Sequence, residues 1–275
     1  MSIVLALAAA LAYGLSDFTG GVFSKRTSPW AVALVASVFG AACVLGLALA
    51  VEGSPTGTDY RWALVAGLGN GFGTAFLYRG LSAGRMAVVA PVSGVGAALL
   101  PVAVGVIGGE RPSPVVWIGI VAALPAIWLV SRAPDHGTPG SGGLVDGVLA
   151  GLGFGSLFAA LAQIPEEAGF LPLALNQVVA TVVIAVVATA LRSPWLPRDQ
   201  QALGGLICGV LGAAATVCFL VASQGGFLTV TAVLASLYPG FTVVLAALVL
   251  REHIHRTQGV GLALCAAAVA LVAVG

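Results

Sequence analysis

The stretch "LYPGFTVVLAALVLREHI" (237–254) runs almost without polarity and then stops at Arg251, Glu252 and His253. The stretch "GVGAALLPVAVGVIGGERP" (94–112) behaves the same way and stops at Glu110 and Arg111. Glu110 and Glu252 are 142 positions apart, in a chain of 275 residues of which only 8% are charged. Two apolar runs that end on a glutamate at the same offset point to an internal repeat.

Composition sets the solvent. Apolar residues make up 59% of the chain, and mean hydropathy is +1.08. A water-soluble domain has too little interior to hide that much apolar surface, whereas a bilayer accepts it. A hydrocarbon core of about 30 Å needs roughly 20 apolar residues per helical span, and a charge at mid-membrane costs several kcal/mol. The charges cluster between long apolar runs and delimit ten spans: 3–22, 29–50, 62–82, 86–107, 113–131, 144–164, 170–191, 201–223, 227–249 and 257–274. The runs are continuous rather than alternating, which argues against a barrel. The fold class expected is all-α, a polytopic membrane protein of ten transmembrane helices. The first apolar run reads as a span rather than a cleaved signal, because no positive residue precedes its core and nine more spans follow. Net charge is +1 and gives no nucleic-acid footprint. Cys43, Cys208, Cys218 and Cys265 fall inside spans without CxxC spacing and read as packing residues. No cofactor or metal is expected.

The repeat extends beyond the glutamates. A shift of 142 places Gly67 over Gly209, Thr74 over Thr216 and Gly119 over Gly261. A shift of 141 places Tyr13 over Phe154 and Gly14 over Gly155. Five spans per half is an odd number, so the second half enters the membrane in the opposite sense. That is an inverted-topology repeat, in which two halves exchange conformations to open a central site to either side. The boundaries expected are 1–131 for the first five-helix repeat, 132–143 for a linker loop and 144–275 for the second.

With "AYGLSDFTGG" (12–21), "GRMAVVAPVSG" (84–94), "GERPSP" (109–114) and "LASLYPGFTVVLAALVLREHIHRTQGVGLAL" (234–264), the chain resembles the EamA-type ten-helix branch of the drug/metabolite transporter superfamily. The resemblance covers essentially the whole chain. It implies efflux of small metabolites or drugs across the cell membrane by alternating access, with the two glutamates marking the turn between the fourth and fifth helices of each repeat. It carries over no substrate. A capping or turn role is the larger expectation for Glu110 and Glu252, since a carboxylate offsets the positive end of a helix.

Lys and Arg are unevenly divided. Lys25, Arg26, Arg79, Arg85, Arg132, Arg192, Arg198, Arg251 and Arg256 follow odd-numbered spans, and only Arg61 and Arg111 lie on the other side. The positive-inside rule then puts both termini outside, while the resemblance implies termini in the cytoplasm.

Intramembrane polar residues are the candidates for a substrate path or gate: Tyr13, Ser16, Asp17, Asn70, Tyr78, Arg79, Ser93, Ser156, Gln224, Ser236 and Tyr238. Pro91, Pro101 and Pro239 should kink or open the fourth and ninth spans. Each hydroxyl has the simpler option of bonding its own helix backbone, and Asn176 and Gln177 that of bonding a neighbouring helix. Gly-rich "AGLGNGFGTAF" (66–76) and "GVLAGLGFGSLF" (147–158) read as close-packing faces. Asp17 is the acidic residue placed deepest in a span, and Arg79 lies at similar depth on the third. The two are expected to pair as a gate or proton-sensitive latch, which makes protons a candidate coupling ion.

An intramembrane enzyme is disfavoured because His136, His253 and His255 all lie in loops. A channel is disfavoured because neither a filter motif nor charge rings are present. The partners expected are a small-molecule substrate and the lipid bilayer, with monomer and homodimer both open.

Overall fold

The computed structural model describes residues 1–82, 86–131, 141–251 and 254–274. Eleven α-helices account for the ten spans: α1 (Ser2–Ser24), α2 (Pro29–Ala50), α3 (Gly57–Ser82), α4 (Met86–Ile107), α5 (Pro114–Ser131), α6 (Ser141–Leu161), α7 (Leu171–Ala190), α8 (Gly205–Gln224), α9 (Leu228–Ala235), α10 (Tyr238–Val249) and α11 (Arg256–Val274). No strand occurs among the described residues. Large apolar side chains such as Val38, Leu49, Ile118, Val121, Val182, Val186 and Leu248 stand exposed on the outer surface. Such a surface is unstable in water and stable against lipid. His136 and His253, Arg85 and Arg132, and Glu252 lie outside the described residues, as does most of the expected linker.

The ninth span is two helices. Pro239 has no N–H to donate and its ring crowds the carbonyl four residues back. α9 therefore stops at Ala235, and α10 restarts at Tyr238 with Pro239 in its first turn. The fourth span does not open as the ninth does, since α4 runs as one helix through both Pro91 and Pro101.

Inversion is written in the contacts. α1 packs along α8 as α6 packs along α3, and α2 along α8 as α7 along α3. α2 with α7 and α5 with α11 pair across the two-fold. Equivalent glycines meet equivalent partners. A Cβ on Gly14 would lie 2.6 Å from Phe241 and 2.8 Å from the Tyr238 carbonyl, and one on Gly155 would lie 2.8 Å from Leu100 and 3.0 Å from the Gly96 carbonyl. Gly14 and Gly155 are 141 apart, and Tyr238 and Gly96 are 142 apart. The two faces of α3 use alternate glycines, Gly67 and Gly71 against α7 and Gly69 and Gly73 against α6. Bare helix faces let backbones approach, which is how packing is gained where lipid supplies no hydrophobic drive.

Loops repeat the symmetry at both ends. Ser54 donates its backbone N–H to the Glu167 carbonyl at 2.8 Å, joining the loop before α3 to the loop before α7. At the other end Ser28 donates its hydroxyl to the Pro194 carbonyl and Thr27 donates to Asp199 at 2.6 Å. The α2–α7 edge is thus clamped at both ends.

Candidate functional site

A cavity of about 120 Å³ lies between the repeats, walled by α1, α2, α3, α6, α7, α8 and the start of α10. Its lining falls in the second halves of α1 and α3 and mainly in the first halves of α2 and α8. Those halves adjoin one face, the one that carries Lys25, Arg26, Arg192 and Arg198. α5 and α11 contribute nothing to the wall.

Aromatic rings of the lining pack against one another and against Phe219. Phe158 and Phe219 stack at 4.4 Å between centroids, and Tyr13 lies 5.9 Å from Phe158 and 6.3 Å from Tyr238. Offset and edge-on ring contacts of this kind add to burial and hold the rings in place. Tyr13 keeps a buried hydroxyl with no protein partner.

Of the residues singled out from sequence, Tyr13, Ser16, Asp17, Asn70, Tyr78 and Tyr238 line this cavity together. Asn70 donates its side-chain amide to Gln177 at 3.1 Å, so the third and seventh spans are joined by an amide pair. Ser93 is fully buried and hydrogen-bonded to Tyr238 behind the wall. Ser236 is also fully buried, at the break between α9 and α10, and its hydroxyl has no partner. Ser156 donates to the Leu152 carbonyl of its own helix at 2.7 Å, and Gln224 donates to the Ile164 carbonyl at 3.1 Å. Neither of the last two reaches the cavity.

The expected Asp17–Arg79 pair is corrected. Arg79 binds Asp146 instead, with Nε donating at 2.7 Å to the carboxylate oxygen that Nη2 also meets, and the guanidinium lies 4.6 Å from the Phe76 ring centre. The helices' neighbours explain the difference. α3 packs on α6 over its length, while α1 packs on α8 and α10. Asp146 is almost fully buried. No described side chain forms an ion pair with Asp17.

Several wall residues were not among the candidates taken from sequence. Ser37, Thr74, Cys208 and Thr216 are small and common in such helices. For Thr74 and Thr216 their alignment across the repeat was the available clue. Among the described residues no cluster of His, Cys, Asp and Glu could hold a metal ion.

A model described as the EamA-like transporter family matches residues 1–132 and 142–274. One solved structure, described only as the crystal structure of a protein, superposes with a TM-score of 0.72 at 17% identity, covering 99% of this chain and 96% of the other. That likeness concerns the fold. No curated protein matches the chain.

Proposed function

Because the chain belongs to the EamA-like transporter family, we propose that it is a secondary transporter that exports small metabolites or drugs across the cell membrane by alternating access. The observation that carries this reading is the cavity, built from helices of both repeats and lined by polar groups beside a cluster of aromatic rings. On the positive-inside rule the cavity faces the cytoplasm, where an exporter loads. Exchange of the two repeats' conformations would part the rings around Phe158 and close the cavity mouth.

Asp17 is the candidate coupling group. An unpaired carboxylate in a membrane cavity is costly when charged and is relieved by a proton or a cation. Proton entry from outside and substrate exit would then alternate on one site.

The test is transport in everted vesicles loaded by an acid-inside gradient, offered a pool of cell metabolites and read by mass spectrometry. Gradient-dependent accumulation of specific compounds, abolished by Asp17→Asn, is the expected result. Accumulation that ignores the gradient would remove proton coupling. No accumulation of any compound in either direction would remove the transport reading.

A further inference from the structure

Resting on the transport reading, we propose that the cavity selects organic monocations, with Asp17 as the counter-charge and Tyr13, Tyr78 and Tyr238 as an aromatic surround. Among the described residues, the cavity lining contains no Lys, Arg or His. An anionic substrate would therefore enter with no cation to meet it and with a carboxylate already present.

Ser16, Ser37, Asn70 and Thr216 of the wall already have protein partners. Ser16 donates to the Cys208 carbonyl at 3.1 Å, Thr216 to the Gly212 carbonyl at 2.9 Å, and Asn70 to Gln177 at 3.1 Å. Ser37 shares a 2.8 Å hydrogen bond with Thr181. Hydroxyls already hydrogen-bonded within the protein offer little to a phosphate or carboxylate. Among the described residues, Asp17 is the one acidic or basic side chain facing the space. Its partner across the 141-residue repeat is Phe158, which belongs to the aromatic cluster. The site therefore holds one negative charge, and a singly charged ligand neutralises it. Tyrosine faces attract cations through the ring quadrupole, an effect that grows as water is excluded. Apolar walls from Ala33, Leu77 and Leu157 suit a hydrocarbon or aromatic body attached to the cationic centre.

Proton and ligand should then compete for Asp17. The titratable groups that share the wall with it are Tyr13 on α1, Tyr78 on α3, Cys208 on α8 and Tyr238 on α10, with none from α2, α6 or α7. None of the four is positive in any protonation state, so none can replace the ligand's charge.

The experiment is equilibrium binding to the full-length protein in detergent, using benzyltrimethylammonium as the probe because its charge does not depend on pH. Phenylacetate and benzyl alcohol serve as the anionic and neutral controls. At pH 8 the cation should bind and the controls should not. Asp17→Asn should weaken the cation by about tenfold or more, as for loss of a charged partner, and Asp17→Glu should restore it. Lowering the pH to 5 should weaken cation binding to the wild type. If Asp17→Asn does not fold, as judged by monodispersity and melting, the wild-type pH series decides alone. Absence of cation binding, tighter binding of phenylacetate, or a cation affinity unchanged by pH would each overturn the proposal. Vesicles that transport only neutral or anionic compounds would also overturn it, while leaving the transport reading in place.

Discussion

The carboxylate of Glu110, at the end of the fourth span, accepts the backbone N–H of Thr229 at 2.9 Å and that of Leu228 through its other oxygen. These are first-turn donors of α9, a helix of the opposite repeat, and Phe227 before them supplies no side-chain cap. Gly109, at φ +100°, lets the chain curl so that the carboxylate reaches across. The glutamate that closes an apolar run thus caps a half-helix from the other repeat, and its repeat mate Glu252 lies outside the described residues. Glu110→Ala should destabilise the protein by about 1 kcal/mol, and up to about 2, read as a lowered Tm in detergent. Glu110→Gln, which keeps an acceptor, should cost less.

Arg79 and Asp146 join α3 to α6, with Asp146 buried and Arg79 about a third exposed at 34%. Breaking a buried pair at one end costs about 3–5 kcal/mol because a charge is left stranded, and the partial exposure of Arg79 places this pair below that range. Asp146→Asn and Arg79→Gln should each lower the Tm. A Tm unchanged in both variants would contradict this account.

The loop clamp at the cavity-side face predicts a pH dependence. The Thr27 hydroxyl and then the Ala202 N–H hold the Asp199 carboxyl below the usual carboxylate range. A folded value below the unfolded one means that this stabilisation is present above about pH 4 and is lost as pH falls through the lower, folded value. The Tm difference between wild type and Thr27→Val should therefore be steady near neutrality and shrink in acid. A difference that grows below pH 4 would reverse the sign.

Glycine substitutions separate packing faces from lipid faces. A Cβ on Gly151 would lie 3.0 Å from Gly96 and 3.2 Å from the Ser93 carbonyl, both backbone atoms that cannot swing aside. Gly46 on α2 is exposed with nothing within 4 Å. Gly151→Ala should lower the Tm, whereas Gly46→Ala should leave it unchanged or raise it, by up to about 1 kcal/mol from helix propensity.

Cysteine accessibility maps the wall. In a background lacking native cysteines, Ser37→Cys and Thr74→Cys should react with small water-soluble thiol reagents, because both positions line the cavity. Ser93→Cys and Ser236→Cys should be protected, since both sites are fully buried. Uniform reactivity at all four would mean that the cavity extends to the α9–α10 break.

Span number, the inverted repeat and the break at Pro239 were legible in the sequence, because each depends on where polarity and backbone donors fall along one dimension. Glu110 was legible as a cap, though its helix was not. Azimuth and neighbour choice were not legible. A span position gives depth at about 1.5 Å per residue, but in a chain this apolar every helix face looks alike. Span position suggested Asp17 for Arg79, yet Arg79 turns to Asp146, on the helix that the glycines of α3 let it lie against. The same packing leaves Asp17 unpaired in the cavity, brings α2 and α7 into its wall and puts Ser93 behind it. Composition, the length of the apolar runs and the internal repeat determined the solvent, the helices and their symmetry, and only close packing of glycine faces decided which polar side chains meet.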